Sequence, residues 1–400
     1  MAKFLPYGRQ SISEADIAAV VEVLRSDYLT TGPYVDRFER DLADAVGAKE
    51  AVVVANGTAA LHLAVMAQDL TADDVVIVPS ITFAASANCV AYCGSGVIFA
   101  DVDPATGLIS DESFDEALAV LRRDYPGKRF AGVVPVHYAG RPVDLSYISS
   151  VCEKNGAFLL EDACHAIGTT GPQGKVGSCS ASDMAVFSFH PVKTLTTGEG
   201  GAITLNDPTQ AYRLRTLRSH GIGRNPSDFV GLGYDRDDNT GPWVYEMQAL
   251  GYNYRLPDLN CALGVAQLKR LPEFTQRRAA LITQYQEALN SSNLPVRWTA
   301  PSEGDKPVFH LFAVDIDFAA LGTTRTAVMA GLKDRGIGSQ VHYIPVHRQP
   351  YWQKHALAQR DLPHADAYYR NTLSLPLYAD MDDGDPARVI EALAQVLGVR

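Results

Sequence analysis

A chain of 400 residues, 46% hydrophobic and 20% charged, is too long for one small domain and has the composition of a globular enzyme with a large and a smaller domain. Its formal net charge of −11 argues against nucleic acid or an anionic membrane as the main partner, yet still allows an anionic small molecule held by a few arginines. The six cysteines (Cys89, Cys93, Cys152, Cys164, Cys179 and Cys261) are scattered without a CxxC pair, the first residues lack a signal-peptide core, and no apolar run could span a bilayer. The expected setting is therefore cytoplasmic, with reduced thiols.

Tyr7-Gly8-Arg9 opens a loop, after which Ser13 and Asp16 stand at capping-box spacing before a helix with Ile17, Val20, Val21 and Leu24 on one face. Leu29-Thr30-Thr31-Gly32-Pro33 is a polar, turn-forming connector. The apolar run 51–56 predicts a buried strand that feeds directly into Gly57-Thr58-Ala59-Ala60-Leu61, a good helix start. A strand, an Asn-Gly turn and a helix with small first residues make an anion site, because the backbone N–H groups and the helix dipole converge there. Short apolar runs at Val75–Pro79, Val97–Asp101, Gly132–Pro135 and Phe158–Glu161 alternate with longer polar or amphipathic segments. This is the pattern of an α/β domain with a mostly parallel sheet, whose ligands collect at the carboxyl ends of its strands.

The residues after those runs are the ones to weigh. Phe83 is an aromatic near a strand end, a position more often core than functional, and Asn88, five residues on, could hydrogen-bond nearby. Asp162 ends an apolar strand, where a carboxylate is costly unless it has a cation or donor; its simpler role is to cap a following helix. His165, three residues on, faces the same side or is a structural histidine, and His137 and Tyr138 are turn residues that could line a cleft. The run Met184–Phe189 then leads into Ser188-Phe189-His190-Pro191-Val192-Lys193-Thr194-Leu195-Thr196-Thr197-Gly198-Glu199-Gly200-Gly201, followed by a strand-like Ala202–Leu205. A lysine held between a proline and a Thr/Gly loop at a strand end suits a stationary amine, whose pKa partial burial lowers, and spacing alone equally allows a surface lysine in a Gly-rich hairpin. Arg213, Arg215 and Arg218 supply the next dense positive charge, which a diphosphate needs. Residues 222–250 are Gly-, Asp- and Asn-rich and read as a long mobile loop.

From residue 271 a smaller domain is expected: a helix Leu271–Leu289, a strand Val308–Asp317, a helix near Thr324–Arg335 and a second strand near Gly338–Tyr343. The histidines His342 and His347 stand five apart across a proline, a poor metal pair, so no metal is expected.

The lysine segment closely resembles that of the DegT/StrS family of nucleotide-sugar aminotransferases, which use pyridoxal phosphate (PLP). Matches run from Leu29-Thr30-Thr31-Gly32 to Tyr378, nearly the whole chain. The resemblance implies a fold type I PLP-dependent transferase with a large domain over 1–270 and a small α/β domain over 271–400. It makes Lys193 the lysine joined to the cofactor and Asp162 the partner of its ring nitrogen, with Thr58, Ala59, Phe83, His165, Ser188 and Asn253 as further cofactor contacts. Asn253, in Gly251-Tyr252-Asn253-Tyr254-Arg255, is expected to reach the phosphate of the neighbouring subunit, so the unit is a homodimer with shared active sites. Tyr7, Thr30, Thr31, His342 and Tyr343 are implied for the sugar. Lysine at 193, where some members have histidine, favours transamination over dehydration. Tyr245-Glu246-Met247-Gln248 and His342-Tyr343-Ile344-Pro345-Val346-His347 most resemble members of the pseudaminic-acid pathway, which implies glutamate (leaving as 2-oxoglutarate) and a UDP-linked 4-keto-6-deoxy sugar. Perosamine- and bacillosamine-type enzymes are close competitors. A non-enzymatic PLP-binding regulator of the same fold would need a DNA-binding region, and the chain shows no basic arm.

Overall fold

The computed structural model describes residues 4–231 and 241–399. In chain order its helices are α1 (Glu14–Leu24), α2 (Pro33–Val46), α3 (Gly57–Met66), α4 (Ala85–Tyr92), α5 (Asp111–Asp124), α6 (Ser146–Asn155), α7 (Pro208–Leu217), α8 (Asp258–Lys269), α9 (Leu271–Asn290), α10 (Arg325–Asp334), α11 (Trp352–His355), α12 (Pro363–Asn371) and α13 (Asp385–Leu397). The strands are β1 (Glu50–Val54), β2 (Asp74–Pro79), β3 (Gly96–Ala100), β4 (Arg129–Val133), β5 (Phe158–Asp162), the two-residue β6 (Thr170–Gly171) and β7 (Gly174–Lys175), β8 (Met184–Ser188), β9 (Gly201–Leu205), β10 (Ile222–Gly223), β11 (Glu246–Met247), β12 (Val296–Arg297), β13 (Phe312–Ile316) and β14 (Thr372–Leu375).

The main sheet has seven strands in the order β1-β9-β8-β5-β4-β2-β3. Only β9 is reversed, pairing antiparallel with both β1 and β8, while the other neighbours are parallel. Strand side chains alternate in direction, and here both directions are apolar. Val52, Val76, Leu160 and Val186 enter one core, while Val53, Ala185 and Phe187 enter a second and Val75, Ile77 and Leu159 a third. A sheet covered on both faces needs continuous apolar runs, which is why the sequence showed runs and not alternation.

A separate core joins Leu281, Tyr285, Phe312, Val314, Leu373, Leu375, Val389 and Leu393 around the sheet β12-β13-β14, and Leu5 from the N-terminal segment packs into it. Two expectations fail here. Residues 338–343 form no strand; Gln340 makes a single bridge to Ser374, and the third strand is β14. Strand β13 begins only at Phe312, because the preceding segment crosses to the turn 138–140 after β4, where the His310 N–H donates to Ala139 O at 2.9 Å.

The capping box of α1 is present, with Ser13 and Asp16 bonded reciprocally. Its apolar stripe is partly open, with Ile17 and Leu24 47% and 57% exposed, and the helix is anchored by buried Val23 and by buried Asp16, which accepts from Gln267 and pairs with Arg270. The mobile-loop reading of 222–250 fails at the loop's base, where β10 and β11 form a ribbon; residues 232–240 lie outside the described residues.

The arginines of α7 are also committed. Arg213 pairs with Asp69, Arg215 with Glu39 and Glu50, and Arg218 with Glu39. Buried Glu39 also accepts the Val53 N–H at 3.0 Å, so one carboxylate ties α2, β1 and α7. Glu39→Ala strands these donors and is expected to cost about 3 kcal/mol in urea unfolding, whereas Glu39→Gln, which keeps an acceptor, costs less.

Candidate active site

The site is assembled where three elements end together. Asn56 caps α3, its side chain accepting the Ala59 N–H at 2.8 Å. The helix begins at Gly57, where an added Cβ would lie 2.9 Å from Ser188 Cβ and 3.4 Å from Cys164 Sγ. The N-terminus of α3 therefore rests directly on the end of β8, an approach only glycine allows. The lysine loop that follows β8 is pinned by its own backbone. Phe189 N–H donates to Gly200 O at 2.8 Å, Thr197 N–H to Phe189 O at 2.9 Å and Lys193 N–H to His190 O at 2.9 Å. Gly198 takes the left-handed conformation, at φ +81°.

Between these ends and the smaller sheet lies a cleft of about 620 Å³, the size of a cofactor or ligand site. Of the residues named from sequence, Tyr7, Thr58, Phe83, Asp162, His165, Ser188, Lys193, His342 and Tyr343 line it. Asp162 ends β5 and Lys193 follows β8, its parallel neighbour, which explains how residues 31 apart in sequence meet. Asp162 is 5% exposed and caps no helix: its Oδ2 accepts from the Ser86 hydroxyl at 2.6 Å and its Oδ1 from the Cys164 N–H at 3.2 Å. No cation pairs with it among the described residues. The Lys193 side-chain amine has no hydrogen bond or ion pair among them either, and its burial pushes its pKa below that of an ordinary lysine, against the opposing pull of Cys164 and Asp162. Phe83 is 60% exposed, its ring 6.1 Å from that of Tyr343, so it is an open aromatic face and not core. Asn88 is turned away, accepting from Trp352 Nε1.

Sequence reasoning missed His310. It lines the cleft with its ring 4.4 Å from that of His165, and its Nδ1 is buried without a hydrogen-bond partner. Burial first, then His165 and Lys193, drives its pKa well below the usual histidine value. A lone histidine before a strand carries no local signal; only the crossing of residues 308–311 onto Ala139 brings it here. His190 and Glu199, inside the lysine segment, line the cleft as well.

Thr30, Thr31 and Asn253 are not in this cleft. They line a second one of about 810 Å³, with His220, Arg224 and Arg255. The arginines expected to offer free positive charge, Arg213, Arg215 and Arg218, are neutralised by the ion pairs above. Arg224 and Arg255 have no carboxylate partner among the described residues, and Arg224 sits 5.7 Å from the Tyr245 ring centroid. Glu246 closes the base of this loop, accepting the Val230 and Gly231 N–H groups at 2.9 Å. Ala59 does not line the cleft, and its N–H donates to Asn56; the Gly57 and Thr58 amides and the Thr58 and Ser188 hydroxyls have no partner among the described residues.

A lysine and a carboxylate that face one cleft from neighbouring parallel strands are the pair a PLP-dependent aminotransferase of fold type I requires, and comparison with known proteins gives the same class. Residues 10–394 match the DegT/DnrJ/EryC1/StrS aminotransferase family, and the chain belongs to it. It is 38% identical over 396 residues to the spore coat polysaccharide biosynthesis protein SpsC of Bacillus subtilis, covering 98% of this chain and 97% of that protein. Among solved structures, the aminotransferase TlmJ of Streptoalloteichus hindustanus superimposes with a TM-score of 0.86 at 30% identity, over 98% of this chain and 99% of that one. Helicobacter pylori PseC, an aminotransferase of pseudaminic acid biosynthesis, gives 0.87 at 26% identity, over 99% and 100%.

The residues present fit PLP. Asp162 is a buried anion lacking a cation, which a protonated ring nitrogen supplies; Phe83 offers a face for a ring; the α3 terminus offers amides and hydroxyls for a phosphate. Because its pKa is lowered, the Lys193 amine is unprotonated at lower pH than an exposed lysine. Borohydride treatment of the PLP-loaded protein is expected to place the reduced pyridoxyl adduct on Lys193, and labelling there should persist toward neutral pH while Lys154 and Lys175 lose it. A peptide map at two pH values checks both.

Proposed function

We propose that the protein transfers the amino group of glutamate to a 4-keto-6-deoxy sugar carried on a nucleotide, UDP in the first instance, in amino-sugar biosynthesis of the pseudaminic-acid kind. The observation that carries the reading is the cleft itself, with an unpaired lysine amine beside a buried carboxylate that lacks a cation. The sugar is supported by the relatives: PseC acts in pseudaminic acid biosynthesis, and another structural neighbour, at 26% identity and a TM-score of 0.82, is the sugar aminotransferase CalS13 of Micromonospora echinospora. SpsC, the more similar protein in sequence, is named for a different polysaccharide, so perosamine- and bacillosamine-type substrates belong in the same screen.

When bound, PLP supplies an electron sink that acidifies the substrate C–H next to nitrogen. Lys193 then takes that proton from the amino donor and, in the second half of the cycle, returns one to the carbon of the keto sugar. Its lowered pKa suits an amine that must act as base as well as acid. Asp162 holds the ring nitrogen protonated; the Ser86 hydroxyl and the Cys164 amide keep the carboxylate aimed. Phe83 and the α3 terminus fix position, and His342 and Tyr343 bound the sugar end.

The two-cleft arrangement supports a homodimer with shared sites. Thr30, Thr31 and Asn253 sit apart from Lys193 in the same chain, in a cleft whose free arginines suit a phosphate or diphosphate, so the proposed dimer sets the second cleft of one subunit against the first cleft of the other. The division of the chain near residue 270 is part of the same proposal, supported by the separate core around β13. So is a cytoplasmic setting; among the described residues no helix is long and apolar enough to cross a membrane.

Incubating the purified protein with glutamate and 4-keto UDP-, GDP- and dTDP-sugars, read by mass shift, tests the substrate; no product from any UDP-sugar would refute the first choice. Asp162→Asn is expected to retain PLP but lose at least about 100-fold in turnover, as removal of a charge-matched partner from a catalytic site does. Mixing inactive Lys193→Ala with inactive Asn253→Asp should restore activity once native mass spectrometry shows hybrids, since one hybrid site then takes both residues from unmutated copies. Hybrids without activity would place Asn253 outside the shared site.

A further inference from the structure

The two ring nitrogens of His165 are not equivalent, and the difference sets the direction of a hydrogen-bond chain that ends in the cleft. The Ala139 N–H donates to His165 Nδ1 at 3.3 Å. A backbone amide can only donate, so Nδ1 holds a lone pair and the single proton of the neutral ring is on Nε2. Nε2 lies 3.1 Å from the Tyr343 hydroxyl oxygen. With its proton there, His165 donates and Tyr343 accepts. The tyrosine's own proton has no acceptor among the described residues, although Tyr343 lines the cleft.

The imidazolium form, which would set an Nδ1 proton against the Ala139 N–H, is opposed from every side. His165 is 7% exposed, and it faces Lys193, His310, His342, Tyr138 and Tyr343. Asp162 is the nearby carboxylate, and it is bonded to Ser86 and Cys164, not to His165. Burial, Lys193 and His342 together drive the His165 pKa well below its usual value, while burial raises that of Tyr343, so the phenol keeps its proton. A second chain holds the same loop in place: Tyr368 O–H donates to Tyr138 Oη at 3.2 Å and Tyr138 O–H to His342 O at 2.7 Å.

We propose that Tyr343 is a one-way hydrogen-bond donor to an acceptor oxygen of the keto substrate, and that His165 is the positioning residue that fixes this direction. The proposal rests on the keto-sugar reading above and deepens it. A carbonyl oxygen accepts at that point; an ammonium group, which only donates, does not. The cleft therefore favours the keto sugar over the amino sugar it becomes, a discrimination available only where a buried polar group would otherwise be left unpaired.

The tautomer is testable without any sugar. In PLP-loaded protein labelled with 15N-histidine, the His165 resonances, assigned by their loss in His165→Gln, should show a neutral ring protonated on Nε2 from about pH 6 to about pH 9, across the range where an ordinary histidine titrates. Tyr343→Phe should shift Nε2 and leave Nδ1 in place. A proton on Nδ1, or an imidazolium in that range, overturns the proposal. In turnover, Tyr343→Phe is expected to lower kcat/KM for the keto sugar about 10- to 100-fold and to narrow the gap between its KM and the inhibition constant of the amino-sugar product. His165→Gln, whose amide nitrogen stands where Nε2 stood, should outperform His165→Asn, and the advantage should vanish in the Tyr343→Phe background. Additive losses refute the chain. A wild-type enzyme that converts no keto sugar refutes the substrate reading instead, and the resonance test still decides the tautomer.

Discussion

A carboxylate buried without a cation is the constraint from which the cleft follows. Asp162 gets two hydrogen bonds, from a hydroxyl and an amide, and no positive charge. Left so, an ion in a low-dielectric setting is poorly compensated. Burial lowers the pKa of each neighbouring base, Lys193, His165, His310 and His342, and the Lys193 charge lowers those of the three imidazoles further. The cavity thus sets a buried carboxylate without an ion-pair partner among bases whose protonated forms burial disfavours. A protonated pyridine ring is the cation that such a cavity lacks, and its binding contributes stability that the chain alone does not have.

Holding that arrangement requires backbone contacts that tolerate little change. Gly57 lets α3 rest on Ser188; Gly201 lies so close to Asn56 that an added Cβ would fall 2.5 Å from its carbonyl; Gly140 meets Val308 O at 2.2 Å on the same test. The first two join the elements that carry the proposed cofactor contacts. The third joins the large sheet to the smaller one at the point where His310 and, through Ala139, His165 are fixed. Movement between the two sheets therefore acts directly on the imidazoles of the cleft.

The central strands were legible because burial on both faces forces unbroken apolar runs, and the lysine segment because proline, threonine and paired glycines cluster around one lysine. The smaller sheet was not. Residues 338–343 have the composition of a strand, yet Gln340 alone pairs, because Leu5 and Tyr7 occupy the neighbouring backbone: Gly338 N–H donates to Leu5 O and Leu377 N–H to Tyr7 O. The apolar stripe of α1 was legible as a stripe, but periodicity does not say which surface covers it, and Ile17 and Leu24 stay exposed. The α7 arginines looked free for the same reason: Glu39 and Asp69 lie far off in sequence, and local charge counting cannot see them.

The residues proposed to hold the cofactor are mostly local to strand ends and so leave a sequence trace, whereas those proposed to face the substrate are brought in by crossings between distant segments. His165 takes its tautomer from an amide 26 residues away, Tyr343 meets it across 178 residues, and Tyr138 reaches His342 across 204. A PLP site can thus be kept by a few short motifs while the donor and acceptor pattern at the sugar end is set by long-range packing.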